Sequence, residues 1–220
     1  MSTGHSASPE KKPVGRKAGR PLDAAKRSAI VDTAAHHFFH HGYAASAIEQ
    51  IAADAGVSKV TIYNQFGDKR ALFTAAVECE CEKMRGHFSL DAMPQGTIRE
   101  RLTAIGEAIH GFLFRPEMIQ FERRIAAETE NDPAIGLAFL EAGPWRMKQG
   151  FGAWLARACE LGELAIPDPG LAAEQFVSMC KGMGDLERRF GANVSAAERD
   201  RRIAGAVDVF LAAYAAPQDR

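Results

Sequence analysis

Residues 46–73, SAIEQIAADAGVSKVTIYNQFGDKRALF, decide the fold of this chain. Ser46 precedes an apolar-periodic run, and Glu49 follows three positions later. This spacing predicts a capping box, in which each side chain bonds the backbone N–H of the other residue. Four apolar residues then recur at helical spacing and predict one buried face: Ile48, Ile51, Ala52 and Ala55.

Gly56 and the residues after it predict a tight turn followed by a second short helix. A turn between two helices at this point requires positive φ, which glycine adopts without a steric penalty. We expect Val57, Ile62 and Phe66 of the second helix to face the interior of the domain. Two short helices at this spacing are typical of a helix-turn-helix, whose second helix enters the DNA major groove.

Outside this stretch, the apolar periodicity predicts an all-α fold with about nine helices. Proline after a capping or polar residue marks the starts of three of these helices, at Pro116, Pro133 and Pro169. Ser195 and Glu198 predict a capping box that opens the last helix. No segment alternates apolar and polar residues with the period of a β-strand.

The charge distribution of the chain separates a basic N-terminal arm from the remainder. The 220 residues are 46% hydrophobic, enough for a sizeable core, and carry a net charge of −1. Residues 1–22 hold five basic side chains and one acidic one, a net charge of +4, which leaves −5 for the rest. We expect residues 1–20 to form a disordered arm that contacts DNA phosphates or a minor groove; an ordinary solvated tail is the alternative.

The chain resembles the TetR family of transcriptional regulators. The resemblance rests on a helix over residues 25–41 and on a series of motifs that follows it: Gly42-Tyr43, the capping position Ser46, IAADAGVS at 51–58, Thr61-Ile62-Tyr63, and FGDK at 66–69. Residues of about 95–215, including GELAIPDPGLAAEQF, are similar to the ligand-binding domain of the AefR-like branch, although helix caps and core spacing are less specific motifs. The resemblance implies a three-helix DNA-binding domain at 21–67 and a helical ligand-binding and dimerisation domain at 68–220.

The outer surface of the second short helix offers groups that can meet DNA bases. The candidate residues are Ser58, Lys59, Val60, Thr61, Tyr63, Asn64 and Gln65. Lys59 can donate to guanine, and Asn64 and Gln65 can pair with adenine. The methyl groups of Val60 and Thr61 can touch the methyl group of thymine.

The resemblance implies three phosphate contacts beside these base contacts. The hydroxyl of Tyr63, the ammonium of Lys69 and Ser46 at the start of the first short helix are expected to bind the DNA backbone. Helix packing is the alternative role for Tyr63 and Thr61. Because one such helix reads only a few base pairs, we expect a homodimer bound to a palindromic operator in double-stranded DNA.

Aromatic residues and methionine in the C-terminal part of the chain are candidates for the lining of an effector pocket. Such side chains line adaptable apolar sites, but they also fill ordinary helical cores. The resemblance implies a small apolar effector, with Phe112, Met118, Phe121, Phe139, Trp145, Phe151, Trp154, Phe176 and Met179 as candidate lining residues. A charged set on one of these helices is expected to be a solvated face: Glu122, Arg123, Arg124, Glu128 and Glu130.

The last two long helices are the expected dimer interface. Their apolar residues repeat at three-to-four spacing, which favours a four-helix bundle built from two helices of each subunit of the homodimer. The candidate interface residues are Met183, Leu186, Phe190, Val207, Phe210 and Leu211. Part of each stripe must also face the core of its own subunit.

The sequence favours a ligand-responsive repressor over an enzyme, since it contains no nucleophile elbow, phosphate loop or paired-carboxylate motif. A dimeric DNA-binding protein without a small-molecule effector, regulated by protein partners or abundance, stays open as an alternative. His36/His40 and His37/His41 have a spacing that can hold zinc, but packing and surface roles are favoured, and no metal or cofactor is expected. Without a long apolar run or a signal sequence, the chain is expected to be cytoplasmic and not to bind a membrane.

Overall fold

The computed structural model describes residues 20–88 and 96–217. The expected basic arm therefore lies almost entirely outside the described residues. The described parts form eleven helices: α1 (Arg20–His41), α2 (Ile48–Asp54), α3 (Lys59–Phe66), α4 (Lys69–Phe88), α5 (Ile98–Leu113), α6 (Pro116–Thr129), α7 (Pro133–Ala142), α8 (Pro144–Glu160), α9 (Pro169–Lys181), α10 (Gly184–Arg189) and α11 (Ala196–Tyr214). The expected all-α class is confirmed.

The number of helices exceeds the expected nine because two predicted helices are interrupted. Gly143 ends α7, and Pro144 begins α8 directly after it. Gly182 adopts a φ of +48° and ends α9 ahead of the six-residue α10. Glycine is suited to both breaks because it tolerates backbone angles that other residues avoid.

The helix starts follow the capping residues of the sequence. Pro116, Pro133 and Pro169 occupy the first turns of α6, α7 and α9, as predicted. Ser195 accepts a bond from the backbone N–H of Glu198, but the Glu198 carboxylate binds Arg202 instead of completing the capping box. Hence the first half of that predicted capping box is present and the returning bond is replaced by an ion pair.

The apolar core consists of two clusters. The first joins α1, α2, α3 and α4 to α6 and α7, and the second joins α5, α8, α9 and α11. Because Met118, Phe121 and Ile125 of α6 belong to the first cluster, α6 packs directly on the helix-turn-helix part of the chain. No helix among the described residues combines the length and apolarity needed to cross a membrane.

Candidate nucleic-acid interface and internal cavity

The helix-turn-helix forms where the sequence predicts it. Gly56 adopts a φ of +66° in the turn after α2, and Ser58 is the N-cap of α3, where its hydroxyl accepts a bond from the backbone N–H of Thr61 at 3.1 Å. Ile62 is fully buried against the first cluster, and Val57 and Phe66 are partly buried beside it. The inward face of α3 is therefore the one expected from its apolar spacing.

The opposite face of α3 is open to solvent. Val60 is 64% exposed and Tyr63 is 40% exposed. Asn64 is also exposed, while Thr61 and Gln65 are half-buried. These residues, with Ser58 and Lys59, form the candidate DNA-reading surface.

The predicted capping box at Ser46 is wrong. The N-cap of α2 is Ala47, which makes no side-chain cap bond. Ser46 is buried, and its hydroxyl donates to the carbonyl of Gly42 at 2.7 Å, so that it closes the turn between α1 and α2. The Ser46 side chain is therefore not placed to bind a phosphate, because its hydroxyl is turned into the protein.

Glu49 does not take part in a capping box and instead forms an ion pair with Lys59 that links α2 to α3. Both side chains remain substantially exposed, at 64% for Glu49 and 47% for Lys59. The hydrogen bond from Lys59 lowers the pKa of Glu49, and the same bond raises the pKa of Lys59. Both groups are thus held in their charged forms at the edge of the candidate reading surface.

Lys69 lies at the first residue of α4 and points back to the loop between α1 and α2. Its ammonium donates to the carbonyl of Ala44 at 3.2 Å and stands 4.5 Å from the centre of the Tyr43 ring. Partial burial lowers the pKa of Lys69, and the nearby carboxylate of Glu128 acts in the opposite direction. Lys69 therefore places a positive charge beside the start of α2.

The histidines of α1 contact one another and α2. The rings of His36 and His40 lie 4.3 Å apart, whereas buried His37 bonds Asp54 of α2 through Nε2 at 2.7 Å. This bond from His37 lowers the pKa of Asp54. This pair holds α1 against α2, so the two residues have a packing role within the part of the chain formed by α1, α2 and α3, which we call the reading domain.

The charged face of α6 differs from the solvated face that the sequence predicts. Arg124 donates to the carbonyls of Phe39 at 3.0 Å and of His40, at the end of α1. Glu128 accepts the backbone N–H of Ala44 at 2.9 Å. We call Arg124 and Glu128 the α6 clamp, since together they hold the last turn of α1 and the loop after it.

Two further residues of this face are bound to α10. Glu122 forms an ion pair at 2.6 Å with Arg188, a residue that is only 4% exposed. Arg123 donates to the carbonyls of Arg188, at 2.7 Å, and of Arg189 at the end of α10. Among the residues of the predicted set, only Glu130 is exposed without a described bond of this kind. Helix α6 therefore connects the reading domain to α10.

A cavity of about 380 Å³ lies between the two core clusters. Its lining includes Phe112, Met118, Phe139, Trp145 and Phe151. All five were candidate ligand-binding residues on sequence grounds. The volume falls within the range typical of small-molecule sites.

The other four candidate lining residues are absent from this cavity and pack in the cores. Phe121 belongs to the first cluster, and Trp154 and Phe176 belong to the second, all three buried. Met179 is partly buried against the second cluster. Their helical spacing is the same as that of lining residues, so the sequence pattern alone did not distinguish core from cavity.

Sequence reasoning missed the lining residues contributed by the N-terminal helices. Phe39 of α1 and Val77 and Cys81 of α4 border the cavity. Phe39 also stacks on Phe121, with ring centroids 4.0 Å apart and planes inclined by 11°. Since α1 belongs to the reading domain, an occupant of the cavity would touch that domain directly.

The candidate interface residues divide between surface and core. Met183, Leu186 and Phe190 are 61%, 50% and 85% exposed around α10. Val207 and Phe210 are instead buried in the second cluster, so their assignment to the interface is wrong, and Leu211 is partly buried beside them. The apolar stripe of α11 faces α5 and α9 of its own chain.

A helix-turn-helix with an exposed reading surface, joined to a helical body that contains an apolar cavity, defines a class of DNA-binding transcriptional regulators. Residues 30–76 match the family model described as bacterial regulatory proteins of the tetR family. Residues 100–216 match the C-terminal domain of AefR-like transcriptional repressors. The chain therefore belongs to the TetR family of transcriptional regulators, and it is not an enzyme.

Three known proteins are similar to this chain. The transcriptional activator FasR of Mycolicibacterium smegmatis is 29% identical over 47% of this chain and 48% of its own. The transcriptional repressor Rv1474c of Mycobacterium tuberculosis is 27% identical over 54% of this chain and 58% of its own. The chain thus spans about half the length of these curated relatives. The solved structure of the flavonoid-responsive regulator FrrA is 26% identical, covers 89% of this chain and 100% of its own, and superposes with a TM-score of 0.69.

Proposed function

We propose that this protein is a dimeric, ligand-responsive repressor that leaves a palindromic operator when a small apolar effector occupies the cavity. The observation that carries the proposal is the shared border of cavity and reading domain, since Phe39 belongs to both. An effector that fits the cavity only when α1 is displaced would favour a state with its reading helices misplaced for DNA. Repression follows the description of the matching C-terminal domain.

The proposed DNA contacts use the exposed face of α3 and the ammonium group of Lys69, at the start of α4. We assign the exposed Val60 and Asn64 to base contacts, and the exposed Lys59 to guanine. The exposed Tyr63 hydroxyl and the Lys69 ammonium are assigned to phosphates. A second reading helix is supplied by the mate, because an inverted-repeat operator presents two half-sites.

The Tyr63→Ala variant is expected to weaken binding to every DNA sequence by roughly tenfold, because a phosphate contact carries no base information. Fluorescence anisotropy with the selected operator and with a scrambled duplex measures both affinities at one salt concentration. Leu161→Ala removes a side chain that is 60% exposed in the body and serves as the control. Unchanged affinity of the Tyr63 variant for both duplexes would contradict the assigned face.

The proposed effector is an uncharged aromatic molecule of small size. The cavity wall is mainly apolar and aromatic, with the charged groups Glu122, Lys148, Glu174 and Lys181 among its lining. Lys148 is paired with Glu174 at 3.0 Å, and Lys181 with Asp185 at 3.6 Å, so these charges are already balanced by partners. FrrA, a structural relative, responds to flavonoids, which are planar aromatic molecules of this kind.

A thermal-shift panel of flavonoids and other planar aromatic compounds tests the proposed effector site. We expect at least one compound to raise the melting temperature and to release the operator. The Met147→Trp variant places a larger side chain at the cavity wall and should abolish both effects, whereas Leu161→Trp outside the lining should retain them. Equal stabilisation of the two variants would place the ligand elsewhere.

The proposed dimer interface is the exposed apolar surface of α10, together with the neighbouring face of α11. Met183, Leu186 and Phe190 lie within one short segment and expose large apolar side chains, as residues of protein interfaces do. Arg202 of α11 binds Glu187 of α10 at 3.0 Å, so the two helices are held together. Packing of this surface on its two-fold mate would bury the exposed side chains and fix the distance between the reading helices.

A further inference from the structure

The ion pair between Glu49 and Lys59 stands at the edge of the reading surface, and Glu49 has no part in the DNA contacts assigned above. Glu49 lies in the first turn of α2, and Lys59 is the first residue of α3. The Lys59 ammonium also stands 5.7 Å from the centre of the exposed Tyr63 ring. The pair therefore joins the first turn of α2 to the start of α3, beside the proposed DNA-reading surface.

A lone carboxylate at this position would be repelled by the phosphates of DNA. Lys59 neutralises that charge, and the two side chains together present a hydrogen-bond donor next to an acceptor. A carboxylate has about four lone-pair sites, so Glu49 can hold Lys59 and still accept another N–H. The bond between the two residues therefore need not break when the protein binds DNA.

The major-groove edge of a guanine–cytosine pair is complementary to this arrangement. Guanine presents O6 and N7 as acceptors, and cytosine presents its N4 amino group as a donor beside O6. Lys59 can donate to guanine while Glu49 accepts from cytosine N4 of the same pair. A thymine in place of guanine would set a methyl group where N7 accepts, which disfavours the ammonium.

We propose that Glu49 is a specificity-determining residue, which with Lys59 reads one guanine–cytosine pair in each operator half-site. The inference rests on the proposed DNA-binding function and adds α2 to the elements that read bases. Glutamine at position 49 would keep an acceptor but would add an amide donor, a combination that pairs bidentately with adenine. The proposal therefore predicts a change at one base position and not a general loss of binding.

Selection of DNA from a random pool by the full-length chain tests this inference. The wild type should select a guanine–cytosine pair at one symmetric position, and Glu49→Gln should lower the preference there by roughly tenfold or more while the other positions keep theirs. Glu49→Ala should lose the preference at the same position and bind non-specific DNA more tightly, since a negative charge is removed.

Glu141→Gln makes the same charge change at an exposed residue of α7 and should leave the selected sequence unchanged. If Glu49→Gln and Glu49→Ala select the wild-type sequence at every position, Glu49 is only a counterion of Lys59 and the inference is overturned. If the wild type selects no inverted repeat, the proposed function itself fails. The two failures are distinguished in one experiment.

Discussion

Replacing Phe190 by Asp is expected to convert the dimer to a monomer and to lower its affinity for an inverted-repeat operator by about a hundredfold or more. Phe190 is 85% exposed, so the substitution removes no contact of the folded chain's core. In the proposed dimer, two-fold symmetry places a carboxylate in the interface twice, each without a partner, and such burial is strongly unfavourable. The reading helices would then bind half-sites independently.

Sedimentation velocity and operator titration measure the two expected effects on the same sample. Leu137→Asp is the matched control, because Leu137 is also exposed, at 48%, but lies on α7. This control should remain dimeric and bind the operator as the wild type does. A Phe190→Asp variant that is dimeric with full affinity would place the interface on another surface.

The division of the C-terminal apolar stripes shows what periodicity can and cannot predict. Spacing of three and four residues correctly indicated that Val207 and Phe210 share a face of α11. The spacing could not indicate whether that face packs in the core of its own subunit or against the partner subunit, because a core and a dimer interface are both apolar environments. Phe176 of α9 decides the matter, because its ring meets Phe210 edge to face with centroids 5.2 Å apart, a contact between distant parts of the sequence.

The helix-turn-helix was predictable because its determinants are local. Gly56 and Ser58 set the turn and the cap through bonds that span only a few residues. Ser46 failed as a cap because its hydroxyl binds Gly42, and the closing of that loop depends on how α1 ends. The cavity wall depends on contacts between still more distant residues, since Phe39 of α1 and Phe151 of α8 are more than a hundred residues apart in the sequence.

The α6 clamp joins a helix of the cavity wall to the reading domain. Arg124 places its guanidinium on the last carbonyls of α1, where a cation also interacts favourably with the helix dipole. Met118 and Glu122 of the same helix line the cavity, as does Phe39 of α1. An effector that moves α6 relative to α1 would therefore act on the hydrogen bonds of Arg124 and Glu128. Through these bonds, the displacement of α6 would shift the reading domain.

The combined variant Arg124→Ala and Glu128→Gln is expected to bind operator and effector but to lose most of the coupling between them. If the effector lowers operator affinity a hundredfold in the wild type, a coupling free energy of about 2.7 kcal/mol, the variant should retain tenfold or less, about 1.4 kcal/mol. Operator titrations with and without a planar aromatic compound that stabilises the wild type give this factor. Glu130→Gln, on the exposed end of α6, should leave it unchanged.

Thermodynamic linkage requires the coupling between operator and effector to be equal in both directions, which provides a second measurement of the clamp variant. Operator DNA must weaken effector binding by the same factor by which the effector weakens operator binding, in the variant as in the wild type. Effector titrations in the presence of operator should therefore show the same tenfold or smaller effect. A variant that keeps the wild-type coupling in both titrations would show that α6 acts on the reading domain through the apolar contact of Phe39 with Phe121, without the help of Arg124 and Glu128.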